Sequence, residues 1–474
     1  MKSYKMIAIL VALMSGVALP ARADAPSELQ AMRAALESMK LEMVKMHETI
    51  ERQNARIGKL ESARLAEASK PSVTLEPVKE KEMPAWLEGL QQAGDVRLRY
   101  EVFSRENEDS SDRNRFRFRL RWGVEKKFND DWKAGFQFAS GENPNEPVST
   151  NQTLDDEFSL KDIQLQRAYA LYTPTEHWKK VIPAAQAVEI GAGKVENPYD
   201  RDKWNSNIIW DSDVAPEGIY EKVDFRLAEP GKDAHWDLNT LMGQWVLNED
   251  SDLTPGDREM ISYGLGTTYQ WAKDHFLSFK STYYDWQGYA PFLKTSSVLS
   301  NALGGNDREL ESFKILNFYS EIQWLLPAEL GGFPFKVFGD YANNLGFQGG
   351  GSTDETLTNP ALRGDSDDAF SIGATLGKAK DAGSWAFTYE YLYIEPNAVV
   401  GVFSESDLGV GFANNKGHRL RFQYKLLKDL ELAFSAWLVE RVDPTRLTYG
   451  SSSLRPNGDD DELLRTQLDL TWKF

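Results

Sequence analysis

Segments in which apolar and polar positions alternate recur along most of this chain. In the last segment, Leu463 to Phe474, the even positions from Leu464 are apolar or nearly so, whereas the odd positions are mostly polar or charged. A period of two is typical of a β-strand with one apolar and one polar face. Sixteen such segments follow Gly94. They are residues 94–106, 113–128, 132–141, 158–173, 187–196, 218–228, 234–249, 258–272, 275–289, 313–326, 333–345, 368–379, 383–396, 416–427, 430–443 and 459–474.

The connections between these segments tend to alternate between short and long. Residues 129–131, 273–274, 327–332, 380–382 and 428–429 form brief turns, whereas 142–157, 197–217, 290–312, 346–367, 397–415 and 444–458 form long polar loops. Outer-membrane barrels have short periplasmic turns and longer surface loops, an alternation that a soluble sandwich does not need. The pattern predicts an all-β transmembrane barrel of about 16 antiparallel strands over residues 94–474. An even number of strands places both ends of the barrel in the periplasm.

The beginning of the chain predicts export. Lys2 and Lys5 precede an apolar run, Met6 to Leu19, and small residues flank Arg22 in the sequence Ala-Arg-Ala. This is typical of a signal peptide over residues 1–23 that is cleaved after Ala23. Beyond it, no apolar run approaches the ~20 residues that a membrane-spanning helix requires.

A heptad repeat follows, and it predicts an α-helical coiled coil over residues 24–68. Its two core positions take Leu29, Leu36, Met43, Ile50, Ile57 and Arg64, and Met32, Met39, Met46, Gln53 and Leu60. A single helix would leave this apolar stripe in water, so we expect a homo-oligomer, with a trimer favoured by analogy. The alternative is a helix packed against its own barrel. Residues 69–93 are rich in proline and charge and predict an extended linker with a short helix over 86–92.

Composition narrows the functional classes. The 474 residues include no cysteine, which excludes disulfides and thiolate metal sites, and 12% are aromatic, including 14 tryptophans. Abundant aromatic residues suit the girdles of a barrel, and the negative mean hydropathy of -0.50 is compatible with strands that meet lipid on one face only. The net charge of -18 makes nucleic acid an improbable partner. No metal or cofactor is expected.

In the second segment, Arg115, Arg117, Arg119 and Arg121 occupy alternate positions. Phe116, Phe118, Leu120 and Trp122 alternate with them, and only water or anions would tolerate four guanidinium groups on one face. We therefore expect this face to line an aqueous lumen. Closure of the barrel would bring the first, second, fourteenth and last segments into one region. The predicted basic wall consists of Arg97, Arg99, Arg115, Arg117, Arg119, Arg121, Arg419, Arg421, Lys425 and Arg465. The alternative is the solvated face of a soluble sheet.

The third long loop, Glu196 to Glu217, combines acidic residues with large apolar ones. This mixture predicts a loop that folds into the lumen and narrows it opposite the basic wall. Alternatively, the loop caps the barrel mouth or contacts a neighbouring subunit. Its candidate constriction residues are Asp200, Asp202, Trp204, Trp210, Asp211, Asp213 and Glu217.

Arg167 falls in phase with the apolar face of the fourth segment, which would direct its side chain towards lipid. A bulge near Gln166, burial at a subunit interface or an error in the assigned phase would each explain this position.

Three motifs resemble one family. They are Asp-Arg-Asn-Arg-Phe-Arg-Phe-Arg-Leu-Arg-Trp-Gly (112–123), Gly-Lys-Val-Glu-Asn-Pro (193–198) and Ile-Trp-Asp-Ser-Asp-Val-Ala-Pro-Glu-Gly (209–218). They resemble segments of the bacterial putative porin family, whose members carry a coiled coil before the barrel, and the resemblance runs from about Ala25 to Phe474. The terminal aromatic residue also resembles the insertion signal of outer-membrane barrels. The family resemblance implies an outer-membrane channel.

These patterns favour a porin over an enzyme. The five histidines are scattered, and the sequence contains neither a serine elbow nor a P-loop. The predicted function is passive diffusion of small hydrophilic solutes and ions across the outer membrane, with the coiled coil in the periplasm. The alternative is a structural protein whose coiled coil tethers the envelope to the cell wall or acts as an adhesin. Outer-membrane lipid is a partner in either case.

Overall fold

Strands make up most of the chain from Leu90 to the carboxyl terminus. The computed structural model describes residues 87–105, 112–142, 147–174, 182, 184–249, 257–289, 312–347, 366–408, 413–442 and 462–474, together with 48, 51, 52, 55 and 59. Its strands are β1 Leu90–Arg105, β2 Arg113–Lys127, β3 Trp132–Ser140, β4 Gln152–Thr153, β5 Ile163–Tyr172, β6 Ala185–Lys194, β7 Glu217–Gly231, β8 Ala234–Asn248, β9 Arg258–Ala272, β10 His275–Gln287, β11 Phe313–Leu325, β12 Pro334–Asn344, β13 Asp368–Gly377, β14 Trp385–Ile394, β15 Asn415–Leu427, β16 Leu430–Arg441 and β17 Leu463–Lys473.

Short helical segments occur in the connections. The α-helix α1 spans Pro198–Arg201, and 3-10 turns span Asp156–Phe158, Ala328–Leu330 and Gly401–Phe403. Among the described residues, no helix has the length and apolar character needed to cross a membrane.

Sixteen of the strands form a closed antiparallel barrel, as the alternating pattern predicts. Each long strand pairs with its neighbours in the chain, and β17 closes the ring by pairing with β1 from Asp95–Lys473 to Arg105–Leu463. The backbones of Gly94 and Phe474 exchange two further hydrogen bonds of 3.0 and 3.1 Å across this seam. Each of the sixteen predicted segments corresponds to one strand of the ring.

The two faces of the strands differ as period-two alternation requires. In β2, Phe116 is 60% exposed on the outside, whereas the adjacent Arg117 is only 7% exposed. A charged side chain on the lipid face costs about 2–4 kcal/mol at mid-membrane depth. This cost orients the strand, with its aromatic face outward and its guanidinium groups in the barrel interior.

Some predicted boundaries are wrong. The helix expected over 86–92 is absent from the described part: residues 87–89 form a turn, Gly89 has φ +70°, and β1 begins at Leu90. Pairing of Leu90 with Lys126 of β2 overrides the helix propensity of this segment. The fourth long strand begins at Ile163 rather than at 158. The two-residue strand β4 was not predicted, and it pairs with Arg117 and Phe118 of β2.

A β-bulge resolves the phase of Arg167. In the β3–β5 pairing, Gln137 lies opposite Arg167 and Phe138 lies opposite Leu165, so Gln166 is the extra residue. A bulge of this kind switches the faces of the residues that follow it. The Gln166 side chain is buried and donates to the carbonyl oxygen of Asp213 at 3.0 Å, and Arg167 forms an ion pair of 3.1 Å with Glu196. Of the three explanations left open above, the bulge is correct.

The segments that precede the barrel fall mainly outside the described residues. These are the signal peptide (1–23), most of the coiled coil (24–68) and the linker up to 86. The described residues of the heptad segment, Glu48, Glu51, Arg52, Ala55 and Lys59, are helical and exposed. The chain divides into two compact units between Met83 and Pro84.

The seam between the first and last strands generates a stability prediction. A Cβ atom at Gly94 would lie 2.2 Å from the Arg121 carbonyl oxygen and 2.7 Å from the Phe474 ring. We expect Gly94→Ala to lower the free energy of unfolding of the detergent-refolded barrel by about 1–3 kcal/mol, because backbone atoms must move apart. Urea titration measures the change. Gly339→Ala is the control, since its nearest neighbour would be 3.8 Å away; equal effects in both variants would contradict this account.

Candidate functional site

The ten predicted wall residues lie on neighbouring strands. The order in the barrel is β15–β16–β17–β1–β2, so that β15, β17, β1 and β2 occupy one side of it. Arg97 lies opposite Arg119 in the β1–β2 pairing, and Arg99 lies opposite Arg117. The outward residues beside them, such as Leu98 and Leu420, are 52% and 44% exposed. The cationic side chains therefore face the interior as one group, which we call the basic wall.

Carboxylates on the same strands and on the adjacent β14 and β16 neutralise much of the basic wall. Glu101 of β1 is fully buried, pairs with Arg465 at 2.8 Å and also contacts Arg115 and Arg117. Asp469 of β17 receives two hydrogen bonds from Arg99, of 2.7 and 2.9 Å. Further pairs between wall residues and strand carboxylates are Asp95–Arg119 at 2.7 Å, Glu390–Arg419 at 3.2 Å and Glu431–Lys425 at 3.2 Å.

Sequence reasoning did not identify these carboxylates as part of the site. A signal for some of them was available, because Asp95 and Glu101 are in phase with Arg97 and Arg99, and Asp469 is in phase with Arg465. Their partners could not be assigned without the strand register, since Glu101 and Arg465 are 364 residues apart in the chain.

Two residues of the basic wall, Arg97 and Arg421, are exceptions to this pairing with carboxylates. Among the described residues, no carboxylate lies within ion-pair distance of Arg97 or Arg421. The Nε atoms of both side chains are buried without a hydrogen-bond partner. Arg97 donates instead to the amide oxygen of Asn151 at 2.5 Å. The wall thus retains positive charge at these two positions.

The third loop, which spans residues 195–216 between β6 and β7, runs through the barrel interior. It begins with α1, whose N-terminus is capped by the Asn197 side chain. Tyr199, Trp204, Ile208 and Ile209 are at most 2% exposed and belong to one apolar cluster. The inward-facing side chains of the cluster include Trp245, Met260, Tyr284 and Phe313 from β8 to β11.

The far part of the third loop reaches the opposite strands. The backbone N–H of Ser206 donates to the Asp340 carboxylate of β12 at 2.6 Å, and the Ser206 hydroxyl contacts Ser371 of β13 at 3.0 Å. Each fully buried Ile contributes about 1.5–3 kcal/mol through apolar burial, which helps to hold the loop in place. The loop contacts inward-facing side chains on several sides of the barrel.

The candidate constriction residues have different surroundings. Asp213 pairs with Arg121 of the basic wall and accepts the backbone N–H of Thr150 at 2.9 Å. Trp204 and Trp210 are buried. The other acidic residues pair elsewhere: Asp200 with Lys203, Asp202 with Arg201 and Lys222, and Glu217, the first residue of β7, with Lys194. Asp211 accepts the backbone N–H of Ser406 at 2.9 Å.

A second inward loop, the seventh (residues 395–414, between β14 and β15), was missed from the sequence. Its Asp407 forms ion pairs with Arg99 at 3.2 Å and Arg465 at 2.8 Å. It joins the third loop through backbone hydrogen bonds from Asp211 to Phe403 and from Glu405 to Asn207, of 2.6 and 3.0 Å. Its sequence combines acidic residues with a Val-Val-Gly-Val-Phe run, the same mixture that marked the third loop.

A polar cavity of about 220 Å³ lies between the third loop and strands β7 to β10. Lys222 and Asp202 form an ion pair of 3.0 Å at its edge. The Lys280 ammonium lies 5.2 Å from the centre of the Trp204 ring and donates to the Asp202 carbonyl oxygen at 2.5 Å. This side of the interior therefore presents mixed charges, in contrast to the basic wall.

One group of carboxylates has the composition of a cation site. Oxygen atoms of Asp367, Asp368 and Glu395 lie within 4.8 Å of one another. Asp368 already accepts hydrogen bonds from Tyr341 at 2.6 Å and Asn343 at 2.9 Å, and its backbone N–H donates to Glu395 at 2.9 Å. These bonds account for the clustering without an ion.

The arrangement is a closed barrel with a charged interior and an apolar exterior, which is the architecture of a membrane channel. The family model described as putative porin matches residues 105–315 and 309–447, most of the chain. The chain belongs to the putative porin family. The family that the sequence resembles is thereby confirmed.

Three solved structures of bacterial proteins are similar to this porin-family chain. OprB of Pseudomonas putida, at high pH, is 10% identical with a TM-score of 0.46, and the match covers 82% of this chain and 94% of OprB. The Salmonella typhi OmpF complex with daunomycin is 12% identical with a TM-score of 0.41, covering 81% and 97%. The Vibrio cholerae OmpT variant lacking loop L8 is 13% identical with a TM-score of 0.39, covering 81% and 99%. No curated protein matches the chain.

Acidic groups at the junction of the two loops have opposite pKa shifts. Burial, and then repulsion from Glu405 and Asp213, raises the pKa of Asp211 well above its usual range. Burial and the neighbouring Asp407 carboxylate raise the pKa of Glu405. Burial alone would also raise the pKa of Asp407, but Arg99 and Arg465 outweigh it and hold that pKa well below its usual range. The junction thus combines proton-binding carboxyls with one firmly ionised carboxylate.

These shifts predict that the loop junction of this porin weakens at alkaline pH. A carboxyl with a raised pKa in the folded protein binds a proton that the unfolded chain has released, so its contribution to stability is lost as pH rises through the folded pKa. We expect protease cleavage within the third and seventh loops to increase from acidic to alkaline pH.

In the Asp211→Asn/Glu405→Gln variant, protease cleavage of the two loops should increase less with pH, because the amides that replace the carboxyls do not ionise. Mass mapping of the cleavage sites in detergent-solubilised protein measures the effect. Asp200→Asn, in the same loop but ion-paired at a partly exposed site, is the control. An unchanged pH dependence in the double variant would contradict the assignment.

Proposed function

We propose that this protein is an outer-membrane porin through which small hydrophilic solutes and ions diffuse passively. The observation that carries the proposal is the ring of sixteen strands with apolar residues outside and paired charges inside. Charged side chains on one face of every strand of the basic wall suit an aqueous lumen, and the exposed aromatic face suits lipid. Membership of the porin family supports the same function.

The basic wall and the third loop are the proposed determinants of passage. Ions that cross the barrel would experience the field of the wall, and the third and seventh loops would narrow the path. Asp213 and Asp407 contact the wall directly, which supports a constriction at that level. The earlier expectation of an acidic loop that faces the arginines across an open pore is thus refined, since part of the acidic charge is already paired with them.

The remaining features of the proposal follow from the topology and the sequence. Both ends of an even-stranded barrel lie on one side of the membrane, which supports a periplasmic position for residues 24–68. We propose domains of 1–23 as signal peptide, 24–68 as coiled coil, 69–93 as linker and 94–474 as barrel, with the boundary between the last two moved back to Leu90, where β1 begins. Homo-oligomerisation is proposed from the heptad repeat, and a trimer is favoured only by analogy. The proposal requires no cofactor and no catalytic residue.

Planar-bilayer recording tests the channel and the basic wall together. We expect the refolded protein to produce discrete conductance steps, and Arg117→Glu/Arg119→Glu to alter its ion selectivity, because the wall changes by four charges. The reversal potential in a salt gradient measures the change. If the Arg117→Glu/Arg119→Glu variant does not refold, Arg117→Gln/Arg119→Gln tests the same wall with half the change in charge.

The matched control is Lys127→Glu/Lys380→Glu. It changes the formal charge equally, but at exposed positions in or beside the short turns. Absence of conductance steps in the wild type would refute the porin function. Conductance with unchanged selectivity in the wall variants would refute only the role of the basic wall.

The heptad repeat favours a second, compatible function. We propose that the coiled coil holds barrels together and tethers the outer membrane to the cell wall. Deletion of residues 27–69 should then weaken attachment of the envelope and reduce cross-linking between copies, while single-channel conductance stays intact because the barrel forms its own compact unit. Outer-membrane vesicle release and chemical cross-linking measure these effects; a loss of conductance would indicate that this segment instead supports the barrel.

A further inference from the structure

We propose that Arg97 and Arg421 are contact points for small anions and that this channel passes anions in preference to cations. The inference rests on the proposed porin function and names its solute class. It depends on a difference within the basic wall: eight of its cations have a carboxylate partner in the described part of the protein, whereas Arg97 and Arg421 do not.

Arg421 has neutral register neighbours, and the carboxylates that act on it electrostatically, Asp469 and Glu431, lie beyond ion-pair distance. Its register neighbours are Thr388 of β14 and Ser435 of β16, which both carry hydroxyls. The adjacent Leu420 and Phe422 are on the exposed outer face, so the guanidinium group of Arg421 is inside the barrel. No ion pair or hydrogen bond joins its side chain to any described residue, and its Nε atom is buried without a partner. An anion between the guanidinium group and the two hydroxyls would accept hydrogen bonds from all three groups, since each of them can donate.

Arg97 has a comparable environment. Its register neighbours are Thr471 of β17 and Arg119 of β2, and Arg119 is engaged with Asp95 at 2.7 Å. One terminal nitrogen of Arg97 donates to Asn151 at 2.5 Å, and its Nε atom has no partner. Arg97 and Arg421 are separated by β16, β17 and part of the basic wall, so they provide two separate positions along one side of the interior.

The chemistry of guanidinium groups selects the ligand class. Arginine stays charged, offers five donors and accepts no hydrogen bond, so it binds halides, phosphate and carboxylates but repels cations. The paired members of the wall offer an approaching cation only carboxylates that already have arginine or lysine partners. Much of the net charge of -18 would be screened by salt beyond about 10 Å, whereas Arg97 and Arg421 act at contact distance. We therefore expect chloride, inorganic phosphate and short carboxylates as solutes.

Bilayer recording on the full-length protein tests this inference. We expect a wild-type chloride-to-potassium permeability ratio above one, and a decrease of about threefold in Arg97→Gln/Arg421→Gln, because two charges near the path are lost. Inorganic phosphate added to the chloride solution should reduce the wild-type current by competing at these positions. The double variant should be less sensitive to phosphate.

Two control variants isolate the unpaired arginines. Glu321→Gln/Lys336→Gln removes an ion pair of 3.2 Å between β11 and β12, outside the basic wall, and should leave the ratio nearly unchanged. Arg226→Gln, at a residue paired with Asp237 on the other side of the barrel, removes one positive charge away from the wall. If only the total charge mattered, Arg226→Gln would change the permeability ratio by half as much as Arg97→Gln/Arg421→Gln, and neither variant would lose sensitivity to phosphate. That result would overturn the inference.

The outcomes separate the inference from the function on which it depends. No conductance in the wild type would refute the porin function itself. Conductance with a cation preference, or a double variant that keeps both the wild-type ratio and phosphate sensitivity, would overturn the anion contacts alone. Retained conductance steps and far-UV circular dichroism show that each variant has folded.

Discussion

The guanidinium groups on the inner face of β2 are the constraint on which the rest of this structure depends. Like charges at successive same-face positions repel one another, and the loops that cover them remove much of their water. The protein places carboxylates beside the basic wall from three sources. Strand β1 supplies Glu101 and the third loop supplies Asp213, which both pair with arginines of β2, and the seventh loop supplies Asp407, which pairs with Arg99 of β1 and Arg465 of β17. Loss of one partner in a buried pair costs about 3–5 kcal/mol, so the charge pattern and the loop positions are energetically linked.

Apolar packing holds the two inward loops independently of these ion pairs. Trp210 stacks near Tyr199 with ring centres 5.9 Å apart, and Phe403 of the seventh loop lies 5.4 Å from Trp286 of β10. The interior of this barrel is therefore divided between an apolar core around the loops and polar surfaces on either side of it. A loop that carries both large apolar residues and carboxylates satisfies both environments at once.

The sequence was sufficient for features that depend on local pattern. The alternation of apolar and polar residues predicted the strands. The incompatibility of guanidinium groups with lipid predicted that Arg117 and its neighbours face the barrel interior. Features that depend on register were not accessible, because Arg465 meets Glu101 only when the first and last strands pair. The start of β1 was misassigned because pairing with β2 outweighs local helix propensity. The seventh loop was overlooked, although its residues from Val399 to Asp407 show the same mixture that identified the third loop.

The position of the closing seam has a consequence for biogenesis. Arg99 and Asp469 bond across the junction of β1 and β17, and so do Glu101 and Arg465. Strand β17 is synthesised last, so an unfinished chain would hold Arg99 and Glu101 without these counter-ions. Closure of the ring therefore completes the hydrogen bonding of β1 and supplies these counter-ions in one step, whereas a truncated barrel would carry incompletely paired charge along its open edge.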